Sequence, residues 1–318
     1  MTNTLINDLK KYLNARIVGQ ERFIERLLLA LFADGHILLE GAPGLAKTKA
    51  VTTLSEILEC DAQRIQFTPD LLPGDLTGTD IYRPERGSFE FQQGPLFHNL
   101  ILADEINRAP AKVQSALLEA MAERQVTVGG KTYPLPALFM VLATQNPIEQ
   151  EGTYPLPEAQ LDRFLLHVNI DYPDADAERE ILRLIHDEAL GIKNPPERLI
   201  TNEEIFAARQ AALQVHVSEA LSTYIIQLIQ ATRQPSSDNP VLADAIAYGA
   251  SPRATIAMDR CARVHAWMNG ADFATPANVQ AIAHDVLRHR ILLSFEAEAA
   301  GKTTDAIISE LLAQVPVI

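Results

Sequence analysis

Hydrophobic residues show two kinds of spacing, and segments of the two kinds follow one another along the chain. In the first, apolar residues recur every three or four positions, which is typical of amphipathic helices. This spacing predicts helices over residues 4–14, 20–34, 47 to about 58, 110–123 and 174–189. In the second, short apolar runs predict strands at residues 37–39, 65–67, 100–103, 139–144 and 165–170. Strands that alternate with helices indicate an α/β fold, in which a parallel sheet has helices on both faces.

The pattern changes after residue 190. A break at residues 190–196 is followed by helical spacing almost to the end of the chain, with interruptions near residues 235–240, 251–252 and 275–276. We therefore expect two domains, an α/β core over residues 1–192 and an all-α domain over residues 193–318. Within the core, the Pro- and Gly-rich stretch 68–96 and the Gly-Gly turn in residues 125–135 each predict a hairpin.

Composition narrows the possible classes of protein. The chain has 318 residues, with 41 acidic and 27 basic side chains and a formal net charge of −14. This acidic balance argues against a nucleic-acid partner, because duplex binding needs a basic face. Two distant cysteines, Cys60 and Cys261, suggest a reduced cytoplasmic compartment. The N-terminus does not resemble a secretory signal, and no apolar run is long enough to span a membrane.

The first predicted strand leads into a segment whose order of parts is that of a phosphate-binding loop. This segment consists of Glu40, Gly41, Ala42, Pro43, Gly44, Leu45, Ala46, Lys47 and Thr48. Backbone N–H groups at the start of a helix attract anions. Lys47 would reach the β- and γ-phosphates, and the Thr48 hydroxyl would bind Mg²⁺. Ala46 stands where the usual motif has glycine, so the loop alone is an imperfect match.

Two further strands end in polar residues suited to nucleotide chemistry. Asp104 and Glu105 follow the strand at 100–103, where Asp104 would hold Mg²⁺, through water, and Glu105 would polarise an attacking water. Asn146 follows the next buried strand and could orient water beside the γ-phosphate. Each motif has a simpler alternative, a solvated acidic turn for the first and a plain turn before Pro147 for the second. Because ligands bind at the carboxyl ends of parallel strands, their shared position favours a functional site.

Two arginines are candidates for contacts with phosphate. Arg163, before the last strand, could stabilise charge that develops on the γ-phosphate. On spacing alone, a surface pair with Asp162 or Glu158 is the better interpretation. Arg253, at the start of a C-terminal helix, could contact phosphate from the second domain, although on local grounds a pair with a nearby acid is the better interpretation. The histidines show no metal-ligand spacing.

Taken together, the motifs resemble those of the MoxR family within the AAA+ ATPase superfamily. The matching segments are residues 41–48, 67–78, 94–97, 103–121, 143–147, 156–164 and 249–253. This family commonly has alanine at the position of Ala46. The resemblance implies an AAA+ P-loop core with a five-stranded parallel sheet, followed by an all-α lid domain. It also implies that ATP lies between the core and the lid.

The resemblance assigns a role to each candidate residue. Lys47 and Thr48 match Walker A, Asp104 and Glu105 match Walker B, Asn146 matches sensor 1, Arg163 the arginine finger and Arg253 sensor 2. The segment of Ile17, Val18, Gly19 and Gln20 resembles the one that cups adenine. Residues 68–96 resemble a helix-2 insert, and the hairpin at 125–135 resembles a pre-sensor-1 insert.

The same resemblance implies an assembly and a function. Members of the MoxR family form rings, usually of six subunits, with ATP and Mg²⁺ as cofactors. In such a ring the arginine finger acts on the nucleotide of a neighbouring subunit. The members remodel or mature protein complexes, often with a partner that carries a von Willebrand factor A domain. A chelatase-like metal-insertion motor, a nucleic-acid translocase and a non-hydrolysing scaffold remain alternatives.

Overall fold

The core is built on a five-stranded parallel sheet, whose strands lie side by side in the order Ala62–Gln66, Leu100–Asp104, Met140–Gln145, Ile37–Glu40 and Leu166–Asn169. Our computed structural model describes residues 2–41, 47–146, 153–192, 194–233 and 240–317. The sheet strands are β1 (Ile37–Glu40), β2 (Ala62–Gln66), β5 (Leu100–Asp104), β8 (Met140–Gln145) and β9 (Leu166–Asn169). The five predicted strands are thus confirmed, within three residues at either end. The three central strands are almost wholly buried, as expected for apolar runs covered by helices on both faces.

Helices cover the sheet and form most of the C-terminal region. They are α1 (Thr2–Asn14), α2 (Glu21–Phe32), α3 (Lys47–Ile57), α4 (Pro73–Thr77), α5 (Ala111–Glu123), α6 (Glu158–Leu161), α7 (Ala175–Ala189), α8 (Asn202–Leu213), α9 (Glu219–Arg233), α10 (Pro240–Ala245), α11 (Pro252–Met268), α12 (Pro276–Leu287), α13 (Phe295–Ala299) and α14 (Thr304–Gln314). Side-chain caps begin several of them. The Asp174 carboxylate accepts from two N–H groups of α7, and the Ser251 hydroxyl accepts from the Arg253 N–H in α11.

Two antiparallel hairpins extend from the core and pack on each other. The first pairs β3 (Gly78–Arg83) with β4 (Ser88–Gln93), and the second pairs β6 (Gln125–Val128) with β7 (Lys131–Pro134). Phe91 and Tyr133 stack across the two hairpins, with ring centroids 4.0 Å apart. Gly129 has φ 58°, and a Cβ there would lie 2.2 Å from an Asp80 carboxylate oxygen. Glycine is therefore required at this turn, both for its backbone conformation and for the contact.

The C-terminal region is helix-rich, as predicted, with one addition. A short antiparallel pair, β10 (Ile246–Tyr248) with β11 (Leu292–Leu293), lies among the helices. The expectation of a wholly α-helical domain therefore needs this correction, because strands of two or three residues are too short to show a periodic pattern. Cys261 is buried, which raises the pKa of its thiol to about 12, and Cys60 is partly exposed against the core. In the described part of the chain, no helix is long and apolar enough to cross a membrane.

The core and the C-terminal region meet through buried ion pairs. Asp285 of α12 is completely buried, and its carboxylate lies 2.6 Å from Arg26 Nε and 3.1 Å from Arg22 Nη2, both in α2. Arg288, one turn further along the chain, lies 3.2 Å from the same carboxylate and also pairs with Asp305. Three guanidinium groups thus surround one buried carboxylate, so two regions distant in sequence are held together by charge.

Candidate nucleotide site

Three neighbouring strands of the sheet end in the polar residues singled out from sequence. Strand β1 leads towards Lys47, the first residue of α3, while β5 ends at Asp104 and β8 is followed by Asn146. The strands are adjacent in the order β5-β8-β1, and their register pairs Ala103 with Ala143 and Leu39 with Thr144. We call the group of Lys47, Asp104, Glu105 and Asn146 the carboxyl edge. Residues Ala42, Pro43, Gly44, Leu45 and Ala46 lie outside the described residues.

Lys47 is half-buried and close to carboxylates. Its ammonium group donates to the Gly41 carbonyl at 2.6 Å. Burial lowers the pKa of Lys47 below its ordinary value, while the negative charges of Asp104, Glu40 and Glu105 act in the opposite direction. An ammonium group with so little solvent around it gains strongly from an incoming anion, which suits a contact with phosphate.

The hydroxyl of Thr144 joins the two acidic residues. It donates to Asp104 Oδ1 at 2.7 Å and accepts from the Glu105 N–H at 2.8 Å. Glu105 itself has φ 57°, a left-handed conformation that is uncommon for a residue other than glycine. Strained backbone of this kind persists only where neighbouring contacts hold it, and it is found most often at functional sites. Thr144, which the sequence did not single out, therefore sets the relative placement of Asp104 and Glu105.

Side chains from outside β5 also pair with the acidic residues. Arg64 Nη2 lies 2.6 Å from Asp104 Oδ2, so this carboxylate already faces a cation. Glu105 Oε2 accepts from Gln66 at 2.7 Å and from Arg108 at 3.1 Å. Arg64 and Gln66 lie on β2, which pairs with β5 in the sheet. The sequence could not reveal them as neighbours of the site, because the strand order is not written in the hydrophobic pattern.

The segment predicted to cup a nucleobase lines a pocket of about 240 Å³ beside α3. The pocket residues include Ile17, Val18, Gln20, Lys49, Ile181, Leu184, Ile185 and Glu188. Gly19 has φ 72°, and a Cβ there would lie 2.6 Å from the Ala177 Cβ in α7. Glycine is thus required where this segment meets α7. The mainly apolar walls suit the faces of a planar heterocycle.

Arg163 and Arg253 lie together at the opposite end of the strands. Both line a pocket of about 370 Å³ with Gly35 and His36, which precede β1. We call this group of two arginines the amino edge. Among the described residues neither Arg163 nor Arg253 forms an ion pair, so the alternative pairing of Arg163 with Asp162 or Glu158 is not observed. Two arginines without an ion pair in this part of the structure stand out in a chain with a net charge of −14.

The length of the sheet separates the two edges. Strand β1 has four residues, begins directly after His36 of the amino-edge pocket and ends directly before Gly41, whose carbonyl accepts from Lys47. At roughly 3.3 Å per residue, the strand alone spans about 13 Å. The structure therefore places Arg253 beside Arg163 and not beside Lys47 of the same chain. The family resemblance predicts that ATP lies between the core and the lid, and this stays a prediction. The residue that matches sensor 2, Arg253, lies with Arg163 in the amino-edge pocket.

The residues present at the carboxyl edge fit a divalent cation bound together with phosphate. In the described ranges no group of three His, Cys, Asp or Glu side chains could hold a metal ion by itself. Asp104 offers carboxylate oxygens, and Thr48, an exposed residue in the first turn of α3, offers a hydroxyl. Hard oxygen ligands of this kind, few in number and completed by phosphate, are those that Mg²⁺ prefers.

Comparison with known proteins agrees with the fold. Residues 36–166 match the family model described as "ATPase family associated with various cellular activities (AAA)", and residues 241–311 match the AAA lid domain. A crystal structure from Cytophaga hutchinsonii is 46% identical, with a TM-score of 0.94, and the match covers 100% of this chain and 96% of that one. The fold and the site define an AAA+ ATPase, an enzyme that hydrolyses ATP.

Individual relatives narrow the family. Chaperone MoxR1 of Mycobacterium tuberculosis is 45% identical over 302 residues, which is 94% of this chain and 78% of that protein. Protein MoxR of Paracoccus denitrificans is 33% identical over 98% of this chain and 95% of its own. The chain therefore belongs to the MoxR family of AAA+ ATPases. The AAA family implies nucleotide binding with a divalent cation and suggests assembly into an oligomeric ring.

Proposed function

We propose that ATP with Mg²⁺ binds at the carboxyl edge of one chain and is hydrolysed with the help of the amino edge of a neighbouring chain. The observation that carries this proposal is the separation of the two edges. Arg163 and Arg253 lie at one end of the strands, whereas the acidic residues lie at the other. A heterologous ring, most simply a hexamer, would bring the amino edge of each chain to the carboxyl edge of the next.

The carboxyl-edge residues would divide the chemistry among them. The base would lie against Val18, Gly19 and Gln20, and Lys47 would contact the phosphates. The loop residues Gly41 to Ala46 would surround the phosphates, and Mg²⁺ would be held by Thr48 and, through water, by Asp104, neutralising phosphate charge. Glu105 would accept a proton from the attacking water, and Asn146 would orient that water.

The amino edge would complete the site from the neighbouring chain. Arg163 and Arg253 would stabilise the negative charge that develops on the γ-phosphate oxygens. Arginine serves this role because its planar guanidinium stays charged and donates several hydrogen bonds at once. Within the described ranges neither residue has an ion pair that it must break before it does so.

The work performed by hydrolysis would be chaperone-like remodelling or maturation of protein complexes. This part of the proposal is supported by the name of the M. tuberculosis relative, Chaperone MoxR1, and by the family resemblance, which also suggests a partner with a von Willebrand factor A domain. The net charge of −14 disfavours the nucleic-acid translocase, and the chelatase-like motor remains the alternative. We place the boundary between core and lid at residues 192 and 193, and the protein in the cytoplasm.

The substitution Glu105→Gln tests the catalytic assignment. It removes the proton acceptor but keeps the size of the side chain, so we expect ATP binding to persist and phosphate release to fall by about 10²–10⁴-fold. Fluorescent-nucleotide titration and a phosphate-release assay measure the two properties separately. Near-normal turnover would contradict the role of Glu105.

Mixing two inactive variants tests the shared site. Glu105→Gln damages only the carboxyl edge, and Arg163→Ala damages only the amino edge. In a mixed ring, some interfaces join an intact carboxyl edge to an intact amino edge, so activity should reappear. Mixtures that stay inactive, although mixed rings form in native mass spectrometry, would argue that Arg163 acts within its own chain.

A further inference from the structure

The carboxylate of Asp162 is shared between the two structural elements that carry the amino-edge arginines. Its Oδ1 accepts from Arg290 Nε at 2.8 Å, and its Oδ2 accepts from the Ser251 hydroxyl at 2.7 Å. Asp162 immediately precedes Arg163. Ser251 is the N-cap of α11, where its hydroxyl also accepts from the N–H of Arg253. One carboxylate therefore connects the backbone next to Arg163 with the helix start next to Arg253.

Arg290 anchors this connection from the buried side. Its side chain is only 3% exposed, and its Nε bonds the Asp162 carboxylate. Its remaining N–H groups donate to the backbone carbonyls of Asp162 at 3.3 Å, Phe164 at 2.5 Å, Leu165 at 3.1 Å and, within the lid, Val286. All five donors of the guanidinium are thus used. Three of the four carbonyls lie in the segment that carries Arg163, so a buried lid residue holds this segment from within.

We propose that Asp162 is a positioning residue that holds Arg163 and Arg253 in a fixed relative placement, with Arg290 as its anchor. The inference rests on the proposed function, since it assumes that both arginines contact the nucleotide of a neighbouring chain. Asp162 does not contact that nucleotide itself. Its role is to make two arginines from different domains act as one preformed group.

The hydrogen bonds of Asp162 also explain why Arg163 does not pair with its neighbour Asp162. An aspartate next to an arginine is an obvious ion-pair partner, but both carboxylate oxygens already accept from Arg290 and Ser251. Arg163 consequently remains available for a phosphate. Donors that are already in place cost no reorganisation at the moment of reaction, and a displacement of about 1 Å can cost a hundredfold in rate.

The substitution Asp162→Asn tests the proposal. Asparagine has the size of aspartate but only one acceptor oxygen and no charge, so it cannot accept from Arg290 and Ser251 as the carboxylate does. We expect kcat for ATP hydrolysis to fall by about ten- to a hundredfold, with little change in KM, because the carboxyl edge of the same chain is untouched. Ser251→Ala, which removes only the connection to α11, should lower kcat less, and Ser251→Thr should restore it. Glu158→Gln, an exposed change one helical turn earlier, is the matched control.

Mixed rings distinguish positioning from simple loss of structure. Asp162→Asn mixed with Glu105→Gln should regain activity, because about a quarter of the interfaces in an equal mixture join two intact edges. Asp162→Asn mixed with Arg163→Ala should show no gain over the residual activity of Asp162→Asn, since both chains are defective at the amino edge. Only a folded Asp162→Asn chain with a working carboxyl edge can be rescued in this way.

Three outcomes would overturn the proposal. The first is an unchanged kcat in Asp162→Asn. The second is no rescue by Glu105→Gln, although Arg163→Ala is rescued by the same partner. If Asp162→Asn fails to fold, the third outcome decides instead, which is a Ser251→Ala variant that folds and keeps its full kcat. If Arg163→Ala is not rescued either, the proposed function itself fails, and the two failures are thereby told apart.

Discussion

The two edges of the sheet differ in how they are built. The carboxyl edge comes entirely from the core, and its acidic residues are already engaged by Thr144, Arg64, Gln66 and Arg108. The amino edge joins Arg163 of the core to Arg253 of the lid, and neither has an ion-pair partner in the described part of the chain. The first edge is complete within one domain, whereas the second exists only while the two domains stay together.

This difference separates binding from turnover. Nucleotide affinity should depend on the core, because every residue that we place against the nucleotide of the same chain lies there. Turnover should depend in addition on the attachment of the lid, since that attachment places Arg253 beside Arg163. Variants of the two edges should therefore fall into two groups, and the following predictions are ordered by the size of the expected effect.

The largest effect should come from removing the positive charge of Arg163 at the amino edge. Arg163→Ala should lower kcat by about 10³-fold or more, the range known for arginine fingers, and leave nucleotide affinity unchanged. Steady-state phosphate release and nucleotide titration measure the two properties. Arg179→Ala is the control, because this arginine is exposed on α7 and pairs with Asp176 one turn away. A loss of affinity equal to the loss of rate would erase the distinction between the edges.

Breaking the buried ion pairs between the domains should come next. Asp285→Asn removes the buried carboxylate that lies between Arg26 and Arg288, although Arg26 keeps its pair with Glu25 and Arg288 keeps its pair with Asp305. Breaking these buried pairs should cost roughly 3–5 kcal/mol of unfolding free energy. Urea denaturation measures the loss. Asp259→Asn, at a partly exposed i,i+4 pair with Arg263, should cost less than about 1 kcal/mol. Equal losses in both variants would show that the buried pairs do not hold the domains together.

The buried carboxyl of Asp285 also predicts that the stability of the protein depends on pH. Burial raises the pKa of Asp285, but Arg26, Arg22 and Arg288 outweigh this effect and hold the pKa below its ordinary value. A lowered folded-state pKa stabilises the protein above the unfolded value of about 3.9, and that stability is lost as the pH falls through the folded value. The stability difference between wild type and Asp285→Asn should therefore be constant near neutral pH and shrink below about pH 4.

The sequence predicted the carboxyl edge better than the amino edge. Asp104 and Asn146 could be found because each directly follows a buried apolar run, and such strand ends meet at one edge of a parallel sheet. Thr144 lies inside its run and therefore looked like part of the strand. Arg163 and Arg253 are 90 positions apart, and nothing in their local spacing shows that Asp162 joins them. Local pattern reveals elements, whereas contacts between distant elements depend on the packing of the whole chain.

The hydroxyl of Thr144 offers a smaller and more local test of the carboxyl edge. Thr144→Val keeps the shape of this buried side chain but leaves the Glu105 N–H without its acceptor, which should cost about 1–3 kcal/mol of stability. It also frees Asp104, so kcat should fall. Thr144→Ser keeps the hydroxyl and should retain most of the activity. If valine and serine behave alike in both assays, the hydroxyl does not organise the acidic residues.

The smallest effect should come from Arg64, which occupies one oxygen of Asp104 at the carboxyl edge. The Arg64 side chain is 53% exposed, so the pair should contribute little to stability. It competes, however, with any cation for the same carboxylate. Arg64→Ala should therefore lower the Mg²⁺ concentration needed for half-maximal ATPase activity by up to about fivefold, which corresponds to an exposed ion pair. Arg64→Lys keeps a positive charge and should change this concentration less. If Arg64→Ala instead needs more Mg²⁺, Arg64 supports the cation site and does not compete with it. Arg64 would then have to be counted as part of the carboxyl edge.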